Sequence, residues 1–316
     1  MSKIFINHTF KCVSITTFSS SPDEIIDTLC SDIDNVSIQR ILNQISRTII
    51  NNKFYVGLSN DLARTKSGGG LLPTNSRLYS NGSNTSDVPD IERVRNLLEV
   101  KLKIDDIENE FDEFDDEKLF TGHFRFHLPP VIPPQLIILM KCPTFQDKLL
   151  LFYHGNSKFL PIFTSNIQNT FDCTISDIVI GNEMMQECIS WAINNDVLDC
   201  TGGLELWFGK LQTSGNLGSI IIRIEDKDIK IIHDSLKVQN DENQFAEVLY
   251  EYLQSQTSIS FKQLHLVKLK CQLFTLYMDG KVKFTSFMSH LGHKQKSKHG
   301  DQRLSIWWII RYLSEL

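Results

Sequence analysis

No stretch of this 316-residue chain approaches the roughly 20 consecutive apolar residues that a membrane-spanning helix needs. The longest contender, residues 131–140, is interrupted by Pro133 and Pro134. The first fifteen residues lack the unbroken apolar centre and small-residue cleavage site of a secretory leader. Nor do the cysteines form a framework. Cys12, Cys30, Cys142, Cys173, Cys188, Cys200 and Cys271 are odd in number, widely spaced and mostly inside apolar runs. Such thiols suit reduced core positions in the cytosol or nucleus. These absences lead us to expect an intracellular chain without disulfides.

Metal and phosphate signatures are missing as well. Gly68-Gly69-Gly70 is not followed by the Gly-Lys-Ser/Thr that closes a phosphate-binding loop. Residues 105–117 hold nine acidic side chains and no basic one. They lack the Asp-x-Asp-x-Asp-Gly order and the glutamate at position twelve of a calcium loop. His123 and His127 stand four apart in a segment that reads as a strand, where that spacing separates them by about 13 Å, too far to share an ion. We expect no metal and no cofactor.

Apolar residues at 41% and charged residues at 22% describe an ordinary globular protein with a sizeable core. The formal charge of −6 argues against a protein that coats nucleic acid, but the charge is unevenly placed. Against the acidic run stand nine lysines and arginines over residues 262–303, with only Asp279 and Asp301 opposing them. Charge separated in this way is either solvated surface or one basic contact surface on an acidic protein.

Residues 8–18 read as a strand. Ser21-Pro22 with Glu24 then predicts a capped helix, because proline suits the first helical position. Ile38, Ile41, Leu42, Ile45 and Ile49 predict a second helix, and 53–58 a strand. From 65 to 89 the composition falls to Gly, Ser, Asn and Thr, which predicts a mobile linker. Residues 91–104 fit a strand or a short helix, and 118–128 a strand. The apolar runs across 136–163, broken at Cys142-Pro143, predict buried strands. Asn182 predicts a helix N-cap, with Met185, Cys188, Ile189 and Ala192 inward. Residues 204–211 and 219–224 predict strands, and Asp241 with Gln244 a capped helix turning Phe245, Val248, Leu249, Tyr252 and Leu253 inward. Strands and helices do not alternate regularly, and no repeat is found. The class is α+β, in an N-terminal region, 1–128, carrying the linker 65–89 and the acidic loop 105–117, and a C-terminal region, 129–316.

Asp279-Gly280 predicts a two-residue hairpin turn. Taking it as the loop sets Leu276 opposite Lys283, and alternation sorts the side chains. Val267, Leu269, Cys271, Leu273, Tyr277, Val282 and Phe284 fall on a core face. Phe274, Leu276 and Met278 fall on the other, rimmed by Lys268, Lys270, Lys281 and Lys283. Either the terminal helix over 304–316 covers that second face or a partner does. An apolar centre inside a charged rim is how protein interfaces are built. The terminal helix, with Trp307 and Trp308, is apolar on more than one side and so has surface for both purposes. We therefore expect Phe274, Leu276, Met278, Trp307 and Trp308 to bind a partner. The lysines Lys268, Lys270, Lys281, Lys283, Lys294, Lys296 and Lys298 are expected to contact DNA without reading sequence.

Thr121-Gly122, Leu160-Pro161-Ile162-Phe163, Thr170-Phe171-Asp172-Cys173, Asp234-Ser235 and Asp279-Gly280-Lys281 occur in an order that resembles the centromere protein L family. The resemblance implies curved, largely antiparallel sheets flanked by helices, ending in a hairpin and a helix. It implies a non-enzymatic scaffold of the inner kinetochore, in the nucleus. The implied partners are centromere protein N-like and centromere protein C-like subunits, the other inner-kinetochore subunits, and centromeric nucleosomal DNA bound without sequence preference. Two other classes stay open from the residues alone. One is a chromatin scaffold unrelated to centromeres. The other is a thiol enzyme using Cys173, with His154 or His233 as base.

Overall fold

The computed structural model describes residues 5–30, 98–106, 118–126, 134–142, 145–194, 203–209, 219–239, 245–285 and 306–316, with single positions at 39 and 43. The expected helix over 38–49, the strand at 53–58, the linker 65–89 and residues 107–117 of the acidic run lie essentially outside them.

Strand β1 (Thr9–Thr17) is rich in β-branched residues and buries side chains on both faces, as a central strand must. It pairs antiparallel with β5 (Lys148–His154) along one side. Along the other it pairs first with β11 (Lys281–Phe284) and then with the short β6 (Cys173–Asp177). The remaining strands are β2 (Leu98–Asp106), β3 (Lys118–Phe126), β4 (Gln135–Lys141), β7 (Leu204–Phe208), β8 (Ile220–Ile224), β9 (Leu266–Lys270) and β10 (Phe274–Tyr277). They complete one open sheet of order β2-β3-β4-β5-β1-β11-β10-β9-β7-β8, with β6 alongside β1. Its named pairs are all antiparallel. An N-terminal strand thus sits between two strands of the C-terminal region, and one sheet runs through both.

Helices cover the sheet on both faces. Helix α1 (Pro22–Cys30) begins as expected, with the Glu24 amide donating to Ser21 Oγ at 3.1 Å. Helix α2 (Phe159–Thr170) corrects the expectation of strand through residue 163. Pro161 lies in its first turn, where a missing amide hydrogen costs nothing because no carbonyl precedes it in the helix. The break comes at Gly155-Asn156. Gly155 has φ +153°, and an added Cβ would lie 2.1 Å from Gln135 Oε1. That buried amide oxygen also accepts from the Asn156 backbone at 2.7 Å and from the Tyr153 hydroxyl. α1 and α2 pack on Val13, Ile15, Phe120, Phe124, Ile137, Leu139, Leu149 and Leu151.

The opposite face carries the larger core. It is covered by α3 (Asn182–Asn194), α4 (Asp226–Gln239), α5 (Phe245–Thr257) and α6 (Ile306–Glu315). Asn182, the expected N-cap of α3, is instead its first residue, and its side chain bonds outside the helix. Its side-chain amide donates to the Leu264 carbonyl at 3.2 Å, and its oxygen accepts from the Leu266 amide at 2.9 Å, joining helix to β9. α4 was not read from the sequence, although Ile229, Ile232, His233 and Leu236 recur on one helical face and all four are buried. α5 turns Phe245, Leu249 and Leu253 inward as expected, with Ala246 and Tyr250 also buried.

The hairpin register differs from expectation. Gly280 donates its amide to the Tyr277 carbonyl at 3.0 Å and has φ +77°, so the loop is the three residues Met278-Asp279-Gly280. An added Cβ at Gly280 would lie 2.2 Å from the Ile178 carbonyl oxygen, which fixes glycine at this point. One extra loop residue moves the pairing by one: Leu276 stands opposite Val282 and Thr275 opposite Lys283. Residues 271–273 are also a turn and not a continuing strand, closed by the Cys271 amide on the Phe274 carbonyl at 3.0 Å. Both changes invert the side-chain alternation.

Candidate nucleic-acid interface

The corrected register gathers two lines of polar residues on one face of the sheet. The first runs Thr9, Lys283, Thr275, Lys270, Glu205, Arg223, each opposite the next on β1, β11, β10, β9, β7 and β8. In the second, Lys11 faces Lys281, Tyr277 faces Lys268, Lys268 faces Trp207, and Trp207 faces Ile221. Between them, on the opposite side of the same strands, run Phe10, Val282, Leu276, Leu269 and Leu206, all fully buried. Strict alternation therefore puts core on one face of β11–β8 and charge on the other. Six strands at about 4.8 Å spacing make each line roughly 24 Å long.

Over β1, β3, β4 and β5 this charged side is covered by α1 and α2. Among the described residues no helix packs on it over β11–β8. There the Lys281 side chain is 48%, that of Lys270 51% and that of Arg223 80% exposed.

Glu205 is the centre of the face. Its Oε1 accepts from the Trp207 indole N–H at 2.6 Å and lies 3.8 Å from Lys268 Nζ. Its Oε2 accepts from Arg223 Nε at 3.2 Å and lies 3.7 Å from Lys270 Nζ. The indole hydrogen bond first, and then Lys270, Arg223 and Lys268, outweigh burial and hold the carboxyl below the usual glutamate range. Lys268 is committed within the face: its ammonium sits 3.9 Å from the Trp207 ring centre and 5.5 Å from that of Tyr277. Lys11 and Lys281, like charges directly opposite, are each offset by a carboxylate. Lys11 pairs with Asp177 at 3.0 Å and Lys281 with Asp279 at 2.6 Å. An open cleft of about 600 Å³, lined by Gly203, Glu205, Arg223, Glu225, Lys270 and Gln272, lies at the β8 end.

Of the expected site residues, Lys268, Lys270, Lys281 and Lys283 are brought together. Phe274 and Leu276 are not on their face. At 1% and 0% exposure both belong to the large core, in the same cluster as Ile309, Ile310 and Leu313 of α6. The reading of these two as an exposed partner surface is thereby corrected: they are part of the buried core to which α6 also contributes. Met278, at the loop, is 38% exposed. Lys294, Lys296 and Lys298 lie outside the described residues, as do the side chains of Trp307 and Trp308. Lys11, Glu205, Trp207 and Arg223 were missed. Glu205 and Trp207 alternate with Leu204, Leu206 and Phe208, a signal that assigns them to a face but does not say which strands adjoin it.

The Cys173 thiol is pushed above its ordinary value by burial and by Asp172, the opposite of what activates a nucleophile. Among the described residues no group of three or more His, Cys, Asp or Glu could hold a metal ion.

A scan against protein families matches the model of centromere protein L over residues 149–316, a little more than half of the chain. Comparison with curated proteins finds no match. The matched span begins within β5 and includes β6–β11 and α2–α6, and so contains every residue of the charged face except Thr9 and Lys11. The chain belongs to the centromere protein L family, and with that membership it is a protein of the centromere and kinetochore.

Proposed function

We propose that this member of the centromere protein L family is a non-enzymatic scaffold subunit of the inner kinetochore in the nucleus. It pairs with a centromere protein N-like subunit, works beside a centromere protein C-like subunit and other inner-kinetochore subunits, and helps hold centromeric DNA without reading its sequence. The observation that carries the DNA part is the face just described, where Lys11, Arg223, Lys268, Lys270, Lys281 and Lys283 converge on strands whose other side is core. Lysine-rich surfaces neutralise phosphate, which fixes position on a duplex and leaves sequence unread. Lys270, Lys281 and Lys283 are the contacts from the hairpin sheet, Lys268 orders the face from within, and Lys294, Lys296 and Lys298 add to it from the following segment.

Pairing with the centromere protein N-like subunit is assigned to the C-terminal region, with Met278 at the hairpin loop and the Trp307/Trp308 segment of α6 as contacts. Affinity purification of the tagged full chain from cells tests this assignment. Recovery of a centromere protein N-like subunit at near-equal amount supports it, whereas recovery of chromatin proteins without any inner-kinetochore subunit favours the centromere-independent scaffold.

A further inference from the structure

The two oxygens of Glu205 serve different partners. Oε1 faces inward to the Trp207 indole and to Lys268, whose side chain is 15% exposed. Oε2 faces outward to Arg223 and Lys270, whose side chains are 80% and 51% exposed. The carboxylate itself is 13% exposed and anchored by a 2.6 Å hydrogen bond, so it cannot swing away from the pair it gathers. Three cations share one carboxylate, which leaves the group with an excess of two positive charges beside an open cleft whose other carboxylate, Glu225, is paired with Lys227 at 2.7 Å.

We propose that Arg223 and Lys270 form a phosphate clamp which Glu205 holds assembled and partly neutralised, a DNA phosphate taking over the outward side of Oε2 on binding. Glu205 is in this sense an internal stand-in for phosphate. It spares the face two exposed, mutually repelling cations when no DNA is present, and it lowers affinity when DNA arrives. This inference rests on the reading of the face as a DNA interface. The occupant is a duplex and not a single strand. A single strand on a sheet is held largely by bases stacked on aromatic rings, and here the Trp207 ring already carries the Lys268 ammonium at 3.9 Å.

The test is fluorescence anisotropy on the purified full chain with a mixed-sequence duplex of about 30 base pairs and a single strand of equal length, over about 50–200 mM salt. Glu205→Gln keeps the acceptor for the Trp207 indole and removes the charge. It is expected to tighten duplex binding about fourfold, the effect of one unit charge some 5 Å from a phosphate in a high-dielectric surface. It is also expected to steepen the log–log salt slope by up to about 0.9. The gain should vanish when Arg223→Ala and Lys270→Ala are added. Weaker or unchanged binding by a folded E205Q protein overturns the clamp while leaving the DNA interface standing. The same holds for a gain that persists without Arg223 and Lys270. Preference for the single strand overturns the choice of duplex. Absence of DNA binding by both wild type and E205Q overturns the interface and the clamp together. Should E205Q fail to melt cooperatively, R223A alone decides: the clamp requires a loss of affinity and a flatter slope, and an unchanged slope ends it.

Discussion

Leu276 stands directly opposite Val282 across the C-terminal hairpin, and neither side chain reaches solvent. This pairing ties the middle of the hairpin to the large core, with Leu269 on the next strand completing the contact. Leu276→Ala is expected to cost about 2–5 kcal/mol, through lost transfer energy and the cavity left behind. Leu276→Glu, which buries a charge without a partner, should prevent the isolated chain from folding at all. Urea denaturation followed by circular dichroism distinguishes the two. A Leu276→Glu protein with native melting would show that the side chain lies at a surface.

Gly280 answers to two constraints at once, a left-handed backbone and the Ile178 carbonyl where a Cβ would sit. Gly280→Ala should lower the unfolding free energy by about 1–3 kcal/mol from the backbone alone, read from urea denaturation. Displacement of Ile178, next to β6, adds to that. Stability equal to wild type would mean that the loop relaxes freely.

Stability should also depend on the histidines packed at the start of β1. His8 and His154 lie 4.6 Å apart, ring centre to ring centre. The pKa of His8 is lowered by burial and then by His154 and His123, and that of His123 by burial and then by Lys101. A folded pKa below the unfolded value of about 6.5 means that the unfolded chain binds more protons. This contribution is therefore complete above pH 6.5 and is lost as pH falls from there through the folded values. Urea midpoints measured from pH 7.5 down to 5.5 should fall less steeply for His8→Asn than for the wild type. Parallel curves would remove His8 from the account.

For DNA, each phosphate neutralised contributes about 0.9 to the salt slope on a duplex. Lys270→Ala with Lys283→Ala is expected to flatten it by up to about 1.8, and Lys294, Lys296 and Lys298 replaced together by about 2 to 3. Binding to unrelated sequences should weaken by similar factors, measured with the centromere protein N-like subunit present. A loss confined to one sequence would point to base reading, which the lysines do not provide.

Much of the fold was legible because it is written in local patterns. The Ser21 cap, the apolar runs of β4 and β5, and the inward stripe of α5 each follow from residues a few positions apart. The α+β class followed from their irregular order. The failures were of distance and of parity. Asp279-Gly280 marks a turn equally well with two loop residues or three, and the three-residue loop is met by backbone far away in sequence, the Cys12 amide on the Gly280 carbonyl at 2.9 Å and the Ile180 amide on the Met278 carbonyl at 3.1 Å. The extra loop residue, together with the turn at 271–273, moved Phe274 and Leu276 from an expected interface into the core. The lysines of the hairpin were found because they are close in sequence. Glu205, Trp207 and Arg223 were not, because only strand order places them beside Lys268 and Lys270.

The position of β1 has a consequence for how the molecule is made. Its neighbours β5 and β6 both precede β11 in the chain, so they leave the ribosome well before its third neighbour does. Until then β6 can hold Val13–Thr17, but Thr9, Phe10 and Lys11 keep that edge unpaired, the kind of surface that recruits other strands. The sheet is closed from its middle and not from its rim. A chain that stops before residue 281 leaves Thr9, Phe10 and Lys11 without their partners, and quality control would meet it as an unfinished product and not as a shorter working one.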